Sequence, residues 1–207
     1  MSDPKSISFA LEDVGKKFYQ RWLFKGISHD FQEAPHVALV GRNGSGKSTL
    51  MRIIAGQMLP SVGSVTYQID EKPFPKDKFY QIISWSGPYI DLYEDLTLKE
   101  QIDLHFALKK CLLSSPRDII ALLRLEAHQH KQLRLYSSGM LQRVKVGLAV
   151  LTDTPILLLD EPTSNMDPEN AAIMLALIQE HTQNRIMVLA SNMEREYLSF
   201  DHVLKLS

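Results

Sequence analysis

Three short stretches of this chain carry residue types whose spacing could do chemistry on phosphate. The first is GRNGSGKST, Gly41 to Thr49, which fits G-x-x-x-x-G-K-[ST] at Gly41, Gly44, Gly46, Lys47 and Ser48. Glycines let the backbone curl until successive N–H groups point at phosphate oxygens, and a helix starting there adds partial positive charge. Lys47 is placed to reach β- and γ-phosphates, and the Ser48 hydroxyl to bind Mg²⁺. Asn43, Ser45 and Thr49 complete this loop as binding residues. The second stretch, PILLLDEPTSNMD, ends an apolar run on Asp160 and Glu161. Asp160 is expected to reach Mg²⁺ through water, and Glu161 to polarise the water that attacks a γ-phosphate. Taken alone, such an acidic pair could equally be a solvated corner. The third is YSSGM, where Ser137, Ser138 and Gly139 open a helix with apolar residues at Leu141, Val144, Leu148 and Leu151. A hydroxyl, free N–H groups and a helix dipole converge there, as an anion site or as an ordinary N-cap.

These groups need elements to hold them. HVALVG reads as a buried strand running into the glycine loop, and STLMRIIAGQM as the following helix, with Leu50, Ile53, Ile54 and Met58 at helical spacing and Gly56 fraying it. SVTYQI and QIISW read as strands. PILLLD and RIMVLAS are apolar without alternation, as strands buried on both faces should be. This βα order predicts a largely parallel sheet covered by helices, an α/β fold. From Thr97 to about Leu151 the pattern turns mostly helical and predicts a helical subdomain inserted in that core, about residues 97–151. Thr97 to Glu100 has capping-box spacing, Ser115-Pro116 a cap followed by proline at the first helical position, and Asp167-Pro168-Glu169 opens another helix by the same logic.

With 207 residues and 44% hydrophobic content, the chain suits one globular domain. Its 23 basic and 24 acidic residues are balanced, so nucleic acid is not an expected partner. A single cysteine, Cys111, allows no internal disulfide and fits a reducing compartment. MSDPKSISFA lacks a signal-peptide core, and no apolar run reaches the roughly 18 residues a membrane span needs. Any membrane role is therefore expected to come through a partner.

On these motifs in this order, the sequence resembles an ATP-binding cassette (ABC) ATPase over nearly its whole length, from about Ser6 to Leu206. GRNGSGKST resembles the Walker A motif, ILLLDE the Walker B motif, YSSGMLQR the LSGGQ signature and SNMD, Ser164 to Asp167, the D-loop. The resemblance implies a single nucleotide-binding domain over 1–207: a P-loop NTPase core with an N-terminal antiparallel β portion and the helical subdomain. It implies ATP and Mg²⁺ as cofactors and a dimer closing head to tail on two ATP. Ser137, Ser138 and Gly139 would then face the γ-phosphate of ATP held by a second subunit, with Asp167 near the shared interface. The family stacks adenine on an aromatic ring ahead of the first core strand. In KKFYQRWLF that ring is Phe18, unless Phe18 and Tyr19 merely pack on the sheet.

Three motifs depart from the family pattern, at four positions. The signature has Ser138 for glycine and Met140 for glutamine. Where the family has a glutamine contacting Mg²⁺ and the attacking water, this chain has Pro88, which offers neither side-chain acceptor nor backbone donor. Ser86 or Tyr89 substitutes for it, or nothing does. Where the family has the switch histidine, this chain has Asn192. Its amide can donate to phosphate or hold a water but carries no proton near neutral pH. Asn192 could also simply cap a helix starting at Met193.

With Glu161, Lys47 and Asn192 as its catalytic residues, the chain is expected to be a working, slow ATPase. It is expected to be the subunit of a transporter of the compact heme-exporter type, cytoplasmic and peripheral to the inner face of the cell membrane. The partner is a permease, docked along the helical subdomain, with Tyr89, Ile90, Leu92 and Tyr93 either lining a groove or packing in the core. The rivals are a binding-only regulatory subunit, a soluble ABC ATPase of translation or repair, and a P-loop kinase, which would leave YSSGM unexplained.

Overall fold

The computed structural model describes residues 7–113, 115–200 and 202–206. The first six positions, including Ser6 where the family resemblance is expected to begin, and Ser207 lie outside these. In chain order the elements are β1 (Ile7–Phe18), β2 (Arg21–Asp30), β3 (His36–Val40), α1 (Lys47–Ile54), β4 (Val62–Ile69), β5 (Lys72–Pro73), β6 (Ile83–Ser86), α2 (Leu98–Leu108), α3 (Pro116–Leu122), α4 (Ser138–Leu151), β7 (Ile156–Asp160), α5 (Pro168–His181), β8 (Ile186–Ala190) and β9 (His202–Lys205). They fall into two compact units. One takes the chain up to Ile83 and again from Ile186, and the other is Ser84–Arg185.

In the first unit, β2, β1, β4 and β5 form an antiparallel sheet in that order. β4 shows why: Val65 and Tyr67 are buried while Thr66 and Gln68 are exposed, the period-2 pattern of a sheet with one wet face. Phe9 stacks on Phe31 and Tyr67, and Tyr67 packs on Phe79. Each such buried ring contributes roughly 1.5–3 kcal/mol. β3 pairs in parallel with β8 on one side (Val37 opposite Val188) and β9 on the other (Val37 opposite His202). All five residues of β8 are buried, as the unalternating apolar run predicts.

The spacing Leu50, Ile53, Ile54, Met58 predicts a helix reaching Met58, but α1 stops at Ile54. Gly56 N–H donates to Ile53 O at 3.0 Å and Gln57 N–H to Arg52 O at 2.9 Å. That pair of bonds is the Schellman closure, so Gly56 terminates the helix rather than fraying it. The Tyr67 hydroxyl donates to the last helical carbonyl, Ile54 O, fastening the helix end to the antiparallel sheet.

In the second unit, β6 lies beside β7. Every residue of β7 is buried. The helices begin where the sequence places their caps. Thr97 Oγ1 accepts from Glu100 N–H at 3.3 Å while the Glu100 carboxylate accepts from Thr97 N–H at 2.8 Å, a full capping box. Ser115 Oγ accepts from Arg117 N–H at 3.2 Å ahead of Pro116. Val144, Leu148 and Leu151 of α4 are buried, and Leu141 is half-buried. Arg185, the unit's last residue, is buried. Its guanidinium donates to Val150 O at 2.6 Å and to Ser84 Oγ and Thr154 Oγ1 at 2.8 Å each. Burial pushes its pKa down to about 10.

Candidate functional site

The glycine loop sits between β3 and α1 in the first unit. Gly46 precedes the helix at φ 103°, and a Cβ there would lie 2.7 Å from Phe24 Cδ1, so both backbone and space require glycine. Lys47, the first helical residue, is only 6% exposed. A buried ammonium must be hydrogen-bonded, and this one is: Nζ donates to Gly41 O at 2.7 Å, to Asn192 Oδ1 at 3.0 Å and to Arg42 O at 3.4 Å. Asn192 Nδ2 in turn donates to Asn43 Oδ1 at 2.6 Å. The tip of β8 is thus tied to the loop by a chain from Asn43 through Asn192 to Lys47. Ser48 and Thr49 are half-buried behind Lys47. The Ser45 hydroxyl is buried without a hydrogen-bond partner among the described residues.

The alternative that Asn192 caps a helix from Met193 does not hold. The N-cap of the turn that follows is Met193, with no side-chain cap bond, and Met193 N–H itself donates to Ser191 Oγ at 2.8 Å. Beyond Met193 the chain makes a single 3₁₀ turn, Glu194–Glu196, too short to need more. Phe18 ends β1 with its ring 45% exposed and Lys16 Nζ 5.4 Å from its centroid. Tyr19 is 98% exposed at φ 53° in the two-residue turn between Phe18 and Arg21. The reading that these rings pack against the sheet is therefore wrong for Tyr19 and at most half true of Phe18.

In the second unit, buried Asp160 ends β7, and Glu161 comes next, half-buried at φ 48°, a left-handed backbone unusual for a non-glycine residue. Gln142 Nε2 donates to Glu161 O at 3.2 Å and to Pro162 O at 3.4 Å, which helps hold that turn. Asp160, Glu161, Ser138, Gln142, Lys145 and Pro88 are among the residues lining a cavity of about 440 Å³. Ser86 is buried, its hydroxyl without a hydrogen-bond partner among the described residues, and Tyr89 is exposed.

Ser137 N-caps α4, its Oγ accepting from Met140 N–H at 3.3 Å. A Cβ on Gly139 would lie 2.6 Å from Asn165 O, so glycine alone allows the start of α4 to approach the loop after Glu161. Asp167 is likewise a cap, accepting from Asn170 N–H at 2.9 Å. Those bonds from Asn170 hold its carboxyl below the ordinary range. Ile90, Leu92 and Tyr93 line a second cleft of about 150 Å³ with Leu104, His105 and Leu108. Tyr89 and Tyr93 are exposed and Ile90 and Leu92 half-buried, so none of the four is a fully buried core residue. Burial pushes the His105 pKa down to about 4, and its Nε2 lies 2.9 Å from Thr152 Oγ1.

The structure brings Lys47, Asn43 and Asn192 together in one unit, and Asp160, Glu161 and Ser138 around one cavity in the other. Sequence reasoning missed Gln142 and Lys145. The signal available was their i, i+3/i+4, i+7 relation to Ser138, which puts all three on one face of α4.

The sequence pattern of the ABC transporter family matches residues 24–164. The chain is 32% identical over 160 residues to the ABC transporter ATP-binding protein YdbJ of Bacillus subtilis, covering 76% of this chain and 52% of that one. It thus spans about half the length of that relative. It is 26% identical over 188 residues to the cytochrome c biogenesis ATP-binding export protein CcmA of Haemophilus influenzae, covering 89% of each. The fold matches a dimeric ATP-binding cassette solved in a post-hydrolysis state with ADP and Pi, with TM-score 0.80 at 22% identity over 96% of this chain and 94% of that one. The chain belongs to the ABC transporter family, whose ATP-binding subunits are ATPases.

Proposed function

We propose that this chain binds and hydrolyses ATP as the nucleotide-binding subunit of an ABC transporter, closing as a dimer on two ATP molecules to drive a separate membrane permease. The observation that carries this reading is the buried Lys47 ammonium at a helix N-terminus, held by a backbone carbonyl and by Asn192 at the tip of a core strand. Such a cation, beside a glycine loop at a helix N-terminus, suits phosphate oxygens.

ATP binding exchanges the bonds of Lys47 to Gly41 O and Asn192 for bonds to the β- and γ-phosphates. Backbone N–H groups of Gly44, Ser45 and Gly46 take further phosphate oxygens, Gly41 and Asn43 shape the loop's start, and Thr49 holds its helical end. Freed from Lys47, the Asn192 amide donates to the γ-phosphate or orients the attacking water. Glu161 accepts a hydrogen bond from that water, polarising it as the oxygen–phosphorus bond forms and the bond to ADP breaks. Ser48 and Asp160 offer a hydroxyl and a carboxylate, the oxygen donors Mg²⁺ takes alongside waters and phosphates. The ion would neutralise charge on the transferred phosphoryl group. The exposed Phe18 ring stacks on adenine. Ser137, Ser138 and Gly139 present the start of α4 to the γ-phosphate of ATP held by a second copy, and Asp167 orders the adjoining loop by capping α5.

No helix among the described residues is long and apolar enough to cross a membrane. A cytoplasmic subunit, bound peripherally at the inner membrane face through its permease, is consistent with that. The cleft beside Leu92 and Leu104 offers the permease a docking groove. Mutual coverage with CcmA supports the compact exporter type of subunit.

Steady-state ATP turnover of wild type and Glu161→Gln tests the reading, with turnover expected in the first and almost none in the second. Equal rates would remove Glu161 from the mechanism. Recovery of a multi-span membrane protein with the tagged chain from its native membranes is expected, and a purely soluble partner would sink the transporter role. A binding-only subunit is the second reading, favoured by Pro88 in the cavity beside Glu161. Tight ATP binding without turnover in wild type would select it.

A further inference from the structure

The cavity beside Asp160 and Glu161 has an uneven charge lining. Its lining residues include two carboxylates and one cation, Lys145. Pro88, on the same wall, contributes no polar side-chain atom. Lys145 stands on α4 one turn beyond Leu141 and Gln142 and two beyond Ser138, so that helix turns three polar residues and one leucine to the cavity. Its side chain is only 19% exposed, and Nζ lies 3.6 Å from Oδ1 of Asp91, whose own side chain is 90% exposed. Lys145 also lines the second, apolar cleft, beside Ile90, Leu92 and Leu104. One side chain therefore borders both spaces.

We infer that Lys145 is a further catalytic residue for hydrolysis, supplying the polar contact that Pro88 cannot, and that Asp91 competes for it. The inference rests on the ATPase reading above. An ion pair at 3.6 Å with a largely solvated carboxylate is weak. The ammonium is thus poised between two acceptors of similar strength: Asp91 at the rim of the apolar cleft, and the water and phosphate oxygens that would occupy the Glu161 cavity. Toward Asp91 it leaves the cavity without a cation. Toward the cavity it donates hydrogen bonds where negative charge develops, which speeds the chemical step without tightening ground-state binding. Whatever fills the cleft and engages Asp91 shifts that balance, which links docking to turnover through one side chain.

The experiment is a double-mutant cycle on the full chain, reading ATP turnover and, separately, affinity for a fluorescent ATP analogue. Lys145→Met should lower kcat about tenfold with affinity unchanged, and Lys145→Arg should restore most of it. Asp91→Asn should raise kcat in wild type and do nothing once Lys145 is methionine. Wild-type turnover that depends on Glu161, with Lys145→Met equally fast, would overturn the inference and leave the ATPase reading intact. So would Asp91→Asn acting equally in both backgrounds, or Lys145→Met losing affinity and turnover together. Wild type with no Glu161-dependent turnover would sink both.

Discussion

The glycine loop and the Glu161 cavity are both built from charged groups at element ends, yet their polar atoms are treated differently. In the loop, the critical cation is already saturated: Lys47 has three acceptors and Asn192 two partners. At the cavity, Lys145 holds one carboxylate at 3.6 Å, and in the same unit the buried Ser86 hydroxyl has no hydrogen-bond partner among the described residues. A saturated site keeps its shape without ligand and exchanges bonds on binding. A loosely partnered site has groups to spare for a species that exists only during reaction. On the proposed reading, the contrast makes binding preorganised in one unit and the chemistry adjustable in the other.

The contrast can be broken or sharpened by mutation. Glu161→Gln should cost about 10²–10³-fold in turnover with ATP affinity intact, measured by steady-state rate and analogue binding. A matching loss of affinity would blur the division. Lys47→Met should cost about 10–100-fold in ATP affinity, the loss of charge-assisted bonds worth roughly 1.5–3 kcal/mol. Asn192→His should keep or raise turnover, and a clear drop would show that asparagine is matched to Lys47 and Asn43.

Two further effects bear on the second unit's own stability. His105 has its folded pKa depressed to about 4 from 6.5, so the unfolded chain binds its proton first. The stability held by the neutral ring is complete above about pH 6.5 and is lost as pH falls toward 4. That loss is roughly 3 kcal/mol for a shift of about 2.5 units, and urea midpoints of wild type and His105→Gln should converge there. The smallest effect is at Asp167. Its folded pKa is lowered, so its cap stabilises above the ordinary aspartate range and fades as pH falls through the folded value. The midpoint difference from Asp167→Ala should be present at pH 7 and vanish in strong acid.

What the sequence makes legible divides along the range of the interaction. Caps at Thr97, Ser115, Ser137 and Asp167 are bonds between residues two or three apart, and each is where the spacing puts it. Strands β7 and β8 announce themselves by unbroken apolar runs. The helix expected to reach Met58 ends early although Leu50, Ile53 and Ile54 do keep helical spacing, because the closing bonds at Gly56 leave no trace in that spacing. Asn192 can be placed at a strand tip from its sequence but not joined to Lys47, which lies 145 positions away in the chain. Gln142 and Lys145 look like ordinary surface residues of α4, since nothing local distinguishes a polar side chain facing a cavity from one facing water.

Arg185 has a consequence for how its unit closes. It closes the second unit by gripping Ser84, the residue where that unit starts, across 101 positions of chain. A segment clasped in this way has its first and last residues adjacent. Closing a loop of that length costs several kcal/mol of chain entropy, and the clasp offsets part of that from within the segment. Ser84–Arg185 therefore carries, in its own side chains, the bond that brings its first and last residues together.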